Sequence, residues 1–233
     1  MATLILVRHG RTAANASGTL AGRTPGIDLD ETGVSQAKRA GERLAVVPVA
    51  AVVSSPLERC RQTAKALVTA HPSPLRVVTD KGLLECDYGD WSGRPIRELA
   101  KEKLWTTIQS QPSAVTFPGG ESMAGMQARA VAAIRKRDAA VEDAHGKDAV
   151  WVAVSHGDII KSILADAFGM HLDLFQRIRV DPASMSIVRY TGGRPEVISS
   201  NTHDGDLSWL ATKPKTTTGK RGDAVVGGGA GPA

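Results

Sequence analysis

The sequence predicts an α/β fold, a three-layer α/β/α sandwich around a mixed, mostly parallel central sheet. Three observations predict it. Short runs rich in β-branched residues alternate with longer stretches of helical periodicity. Two of the runs, Leu4 to Val7 and Val150 to Val154, are apolar throughout, the pattern of strands covered on both faces. The last two runs lie close together around Gly192-Gly193, as in an antiparallel hairpin, so the sheet is expected to be mixed.

Leu4 to Val7 opens the series. Val34, Ala37, Gly41 and Leu44 then recur at helical spacing, with Thr32 placed to cap that helix. Ala51 to Ser54 is the second strand. Ser55-Pro56 reads as a cap followed by proline at the first helical position, opening a helix that runs towards Ala70. Leu75 to Thr79 is the third strand. After Gly119-Gly120, the residues Met123, Met126, Ala130, Ile134 and Val141 mark a long helix. Val150 to Val154 is followed by a helix from near Asp158 to Gly169, and Ser186 to Tyr190 and Glu196 to Ser199 form the hairpin. Residues 1–210 therefore read as one domain. Residues 211–233 lack apolar periodicity and read as a disordered, basic, Gly/Thr-rich tail.

Hydrophobic content of 42% and charged content of 23% are those of a globular protein. Aromatics are only 4%, so the core must rest on Ala, Val, Leu and Ile. The net charge of +5 is concentrated at the end, where Lys213, Lys215, Lys220 and Arg221 against Asp223 contribute +3 and leave +2 for the rest. No basic stripe crosses the folded part, which argues against nucleic-acid binding. Cys60 and Cys86 make neither a metal pair nor a disulfide framework. No stretch is long enough to span a bilayer and no signal segment opens the sequence, so a cytoplasmic protein with reduced thiols and no membrane partner is expected.

The chemistry gathers at strand ends. Leu6-Val7 runs into Arg8-His9-Gly10-Arg11-Thr12, and Val150 to Val154 into Ser155-His156-Gly157-Asp158. In an open α/β sheet ligands bind at the carboxyl edge of the strands. An imidazole held there can attack phosphorus, and an adjacent guanidinium forks onto phosphate oxygens. Ser54-Ser55-Pro56-Leu57-Glu58-Arg59 brings a second arginine into the first turn of a helix. Leu83-Leu84-Glu85-Cys86-Asp87-Tyr88-Gly89-Asp90-Trp91-Ser92-Gly93 offers Glu85 as a proton donor for a leaving alkoxide. Each piece alone has a structural explanation, as His71, His145, His171 and His203 illustrate; the convergence of four such segments points to phosphoryl transfer. No carboxylate cluster with magnesium-binding spacing is evident, and no cofactor or metal is expected.

Taken together, Arg8-His9-Gly10, Ser54-Ser55-Pro56 with Arg59, Glu85, and Ser155-His156-Gly157 resemble the histidine phosphatase superfamily, whose members include phosphoglycerate mutases and small-molecule phosphatases. The match runs from about Leu4 to Thr202. The resemblance implies a phosphoglycerate mutase-like fold and a division of labour. His9 would be the phosphorylated nucleophile, and Glu85 the general acid and then base. Arg8, Arg59 and His156 would neutralise the transferring phosphoryl group, with Asn15 and Gly157 also lining its pocket. Beside a dianion His156 is expected to be protonated while His9 is neutral, which predicts a bell-shaped or acid-favoured pH profile.

Within that family, Tyr88-Gly89-Asp90-Trp91-Ser92-Gly93 and Pro118-Gly119-Gly120-Glu121-Ser122 resemble the phosphatase branch, and the stretch between Gly93 and Phe117 is short for a mutase. The expected activity is hydrolysis of a small phosphorylated metabolite. Cofactor-dependent mutase chemistry and a non-catalytic binding module are the alternatives. Arg11 stands where the family places an acidic residue, either as a solvated loop residue or as positive potential at the pocket mouth. A lid over Asp90 to Phe117 and the loop Gly18 to Asp28 would choose the substrate, and the family leaves room for a homodimer.

Overall fold

The computed structural model describes residues 2–191 and 194–211. One sheet is built from β1 (Thr3–Arg8), β2 (Val49–Ser54), β3 (Val77–Thr79), β4 (Val150–Ser155), β5 (Met185–Thr191) and β6 (Arg194–Thr202), in the order β3-β2-β4-β1-β5-β6. The first four are parallel, and β5 and β6 run antiparallel to their neighbours. The sheet is thus mixed and mostly parallel, as the sequence predicts. The helices are α1 (Ala13–Ser17), α2 (Glu31–Leu44), α3 (Glu58–Ala70), α4 (Ile96–Leu99), α5 (Lys103–Ser110), α6 (Met123–His145) and α7 (Gly157–Ala167).

Alternation along the central strands divides the core in two. Ile5 and Val7 of β1, with Val150, Val152 and Val154 of β4, pack under Ala40 and Leu44 of α2 and Ala64 and Leu67 of α3. Leu4 and Leu6, with Trp151 and Ala153, face the other way onto Met126, Ala130 and Ile134 of α6 and Ile160 and Ile163 of α7. This is the period of two that a strand buried on both faces requires. Trp151 donates its indole N–H to Asp138 Oδ1 at 2.9 Å, pinning α6 to the middle of the sheet. Burial raises the Asp138 carboxyl above its usual range, and the Trp151 bond partly offsets this.

Several element ends differ from expectation for local reasons. Asp30, not Thr32, caps α2: its Oδ1 accepts the Gly33 N–H at 2.8 Å. The helix after Ser55-Pro56 begins only at Glu58, and Leu57 at its cap has no side-chain bond. Ser55 Oγ is instead 2.8 Å from His156 Nε2. The third strand is confined to Val77–Thr79, whereas the last extends over Arg194–Thr202. The Gly192-Gly193 turn and residues 212–233 of the expected tail lie outside the described residues. Among the described residues, no helix is long and apolar enough to cross a membrane.

The start of α2 abuts the segment that follows β1. A Cβ at Gly33 would fall 2.0 Å from Arg11 O, and one at Gly10 would fall 2.4 Å from Gly33 O. Two backbones meet there with no room for a side chain. Gly33→Ala is expected to cost about 1–3 kcal/mol and to lower the thermal midpoint by several degrees, on the order of 2–4 °C per kcal/mol. Thermal denaturation followed by circular dichroism checks this; an unchanged midpoint would contradict the close approach.

Candidate active site

Register assembles the site. β1 pairs with β4 so that Arg8 stands opposite Ser155, and Ser54 of β2 stands opposite Val154. The segments leaving all three strands therefore emerge level at one sheet edge. His9 N donates to Ser155 O at 3.0 Å, and Ser55 N to Val154 O at 2.9 Å, which extends the ladders past the strand ends. The His9 and His156 rings come to 5.3 Å between centroids, edge to face.

His9 is 3% exposed. Its Nδ1 lies 2.7 Å from Gly10 O, a carbonyl that can only accept, so Nδ1 carries the proton and Nε2 the lone pair. Arg59 Nε, at 3.3 Å, is directed at that Nε2. Arg59 also donates through Nη2 to Gly22 O at 2.8 Å and to His156 Nδ1 at 3.1 Å. His156 Nδ1 thus accepts, and its Nε2–H points to Ser55 Oγ at 2.8 Å. Burial, then the Arg59 and Arg8 charges, hold His9 well below the usual histidine range. Burial, Arg59 and His9 do the same to His156. The imidazolium expected at His156 beside a bound dianion is therefore not a property of the free site, where both rings are neutral.

Arg8 is anchored from the far end of the chain. Its Nη1 donates to Val180 O at 2.7 Å, and its backbone bonds Ser184 O and Ala183 N. Gly157, the first residue of α7, closes over it: a Cβ there would lie 3.5 Å from Arg8 Nε. Arg8 Nε and Arg59 Nη1 are buried donors without a hydrogen-bond partner. A buried donor left unpaired costs about 1–3 kcal/mol.

Glu85 completes the cluster. Its Oε1 accepts from Cys86 N at 3.0 Å, and its Oε2 is 3.8 Å from His156 Nδ1. Burial, followed by the nearby Asp158 charge, raises its carboxyl to about 7, against the opposing pull of Arg59. Asp158 accepts from Tyr88 Oη at 2.8 Å.

Five of the residues singled out from sequence, Arg8, His9, Arg59, Glu85 and His156, are thus brought together, with Gly157 against Arg8. Asn15 is not hydrogen-bonded to these five. It is exposed, and its Oδ1 accepts from Thr12 N and Oγ1 at 3.1 and 3.0 Å, forming the capping box of α1. Arg11 turns away to pair with Asp30 at 2.8 Å and to donate to Thr32 Oγ1, which makes it a brace for the start of α2. Cys86 and Cys60 are both buried, Cys60 with Sγ 3.4 Å from His156 Nε2. His71 is a buried structural residue whose Nε2 bonds Val47 O at 2.8 Å.

Sequence reasoning missed the residues that hold the Glu85 segment. Glu121 Oε1 accepts from Asp87 N at 2.9 Å and pairs with Arg23 and Arg129 at 2.9 and 2.7 Å. Arg129 lies on a helix face that reads as solvated, and Arg23 in a loop without pattern, so no local signal marks either. The Gly119-Gly120-Glu121 run was visible, but only as a motif. Among the described residues no group of three or more His, Cys, Asp or Glu side chains could hold a metal ion.

Comparisons with known proteins show the family and the fold. The family described as histidine phosphatase superfamily (branch 1) matches residues 4–203. The chain is 31% identical over 209 residues to phosphoserine phosphatase 1 of Hydrogenobacter thermophilus, covering 86% of this chain and 92% of that one. It is 32% identical over 192 residues to a Yersinia pestis protein named "Probable phosphoglycerate mutase GpmB", covering 82% and 86%. It spans half the length of mycobacterial relatives that it matches at 35% identity over 194 residues. Among solved structures, the α-ribazole phosphatase of Shigella flexneri superposes with a TM-score of 0.75 at 26% identity, over 86% of this chain and 96% of that one. On the family match and on the ordered set of strand-end residues, the chain belongs to the histidine phosphatase superfamily, branch 1.

Proposed function

We propose that this protein hydrolyses small phosphate monoesters without a metal, through a phosphohistidine on His9. The observation that carries the reading is a neutral His9 whose Nδ1 is committed to Gly10 O, beside two buried arginine donors, Arg8 Nε and Arg59 Nη1, with no partner in the protein. A phosphoryl group offers those donors their acceptors and His9 Nε2 its electrophile. The phosphatase names of the Hydrogenobacter and Shigella relatives support the same chemistry.

His9 Nε2 attacks phosphorus and the ester P–O bond breaks, its electrons leaving on the alkoxide. Protonated Glu85 gives that oxygen its proton. Arg59 turns its Nε–H from His9 to a phosphoryl oxygen as substrate enters. Arg8 and Gly157 at the start of α7 supply further N–H donors, and Asn15 has its amide nitrogen free of the capping bonds its oxygen makes. The dianion offsets the two guanidinium charges and returns His156 to its protonated form. In the second half, Glu85 carboxylate takes a proton from water as the water attacks phosphorus, and the N–P electrons return to His9. The two free, buried thiols fit a reducing cytoplasm.

Phosphate release from a panel of monoesters, sugar phosphates and phosphoserine among them, should persist in EDTA. It should fall by at least about 10³-fold in His9→Ala. Rapid acid-free quenching with labelled substrate should trap label on wild-type protein and none on the variant. Release that EDTA abolishes would sink the reading.

The raised Glu85 carboxyl sets a pH limb. As a general acid it works only when protonated, so kcat/KM for an alkyl ester should fall as pH rises through about 7. In Glu85→Gln that limb should vanish, with activity lowered by about 10²–10⁴-fold. A limb that survives the substitution would assign it to another group.

The resemblance to a protein named as a phosphoglycerate mutase makes mutase chemistry the second reading. 3-Phosphoglycerate with 2,3-bisphosphoglycerate should yield inorganic phosphate and little isomer; isomerisation without net release would favour the mutase.

A further inference from the structure

The segment carrying Glu85 belongs to no strand or α-helix, so its backbone polar groups must be satisfied from elsewhere. Side chains do this. Ser155 Oγ donates to Leu83 O at 2.9 Å, and Arg129 Nη1 to Gly82 O and Leu84 O at 2.8 and 3.0 Å. Arg23 reaches the backbone of the acid-bearing residue: its Nε donates to the Glu85 main-chain carbonyl at 2.8 Å. Its Nη1 bonds Asp87 Oδ2 at 3.2 Å and its Nη2 bonds Glu121 Oε1 at 2.9 Å. All three guanidinium nitrogens are therefore committed within the protein.

The neighbouring residue holds the other half of the site. Gly22 O accepts from Arg59 Nη2, whose guanidinium faces His9. Two consecutive residues thus grip the phosphate-facing arginine and the acid-bearing backbone, each by a hydrogen bond of 2.8 Å. We infer that Arg23 is a positioning residue, which fixes how far the Glu85 carboxyl stands from the oxygen leaving a phosphoryl group held by Arg59. This rests on the role proposed above for Glu85. Arg23 keeps one N–H on each of Nη1 and Nη2 beyond these bonds, and its side chain is 30% exposed, so direct contact with substrate is the competing reading, which would lower turnover of both kinds of ester alike.

The discriminating variable is the leaving group. An alkoxide needs a proton from Glu85 as the bond breaks, whereas 2,4-dinitrophenolate leaves without one. The test compares kcat/KM for 2,4-dinitrophenyl phosphate and for a simple alkyl monoester free of carboxylate, in wild type, Arg23→Ala, Arg23→Lys and Glu85→Gln. Arg23→Ala should lose about 10–100-fold on the alkyl ester, a fraction of what a positioned acid supplies, and less than about 3-fold on the dinitrophenyl ester. Arg23→Lys, which keeps the charge but can reach fewer acceptors, should show the same split at smaller size and carries the test if Arg23→Ala does not fold. Equal losses on both esters, or no loss on either, overturn the inference. Absence of the split in Glu85→Gln would bring down the acid assignment, and the positioning role with it. A split in Glu85→Gln alone would remove Arg23 and leave the acid in place.

Discussion

Everything in the site depends on the register of three parallel strands. Arg8 opposite Ser155 and Ser54 opposite Val154 bring two His-Gly ends and one Ser-Ser-Pro turn to a common edge. A slip of one residue would send Leu6 and Ile5 to the wrong layers and would turn Arg8 and His9 to opposite faces. The double-sided burial of β1 and β4 is what forbids the slip, so the hydrophobic pattern of the interior also sets the geometry of the chemistry.

The electrostatic arrangement follows from burial at that edge. Two guanidiniums cannot lose their charge there, so the two imidazoles between them give up theirs. Glu85, the acid facing them, is pushed up by its own desolvation and by Asp158 beyond what Arg59 can reverse. A neutral imidazole and a carboxyl raised to about 7 thus arise from the same low-dielectric enclosure. The orphaned nitrogens of Arg8 and Arg59 are the residual cost of burying two guanidiniums in that enclosure.

Much of this was legible in the sequence. Strand-end Arg8-His9-Gly10 and Ser155-His156-Gly157 could be read because apolar runs of four or five residues followed by His-Gly are a local pattern. Thr32 was misjudged as a cap because Asp30, two residues earlier, offers the better acceptor once Gly33 presents its N–H. Ser55 looked like a helix cap yet pairs with His156, a partner 101 positions away that no local rule reveals. The roles of Arg23 and Arg129, and the partners of Glu121, are hidden for the same reason. The contact between Arg23 and Glu121 spans 98 positions, and the two arginines look like solvated charges in their own neighbourhoods.

The clasp on Arg8 also bears on how the chain is made. β1 precedes the other strands of this sheet in the sequence, yet it is flanked in the finished sheet by β4 and β5, and its arginine is held by the Val180 and Ser184 carbonyls. Until β4 and β5 have been synthesised, β1 has neither flanking strand, and it presents two open edges of unpaired backbone N–H and C=O groups between apolar faces. His9 is therefore translated well before the strands that set it in place. A nascent chain halted before β4 and β5 would carry His9 but none of the partners that fix its surroundings, so the site can form only after those strands exist.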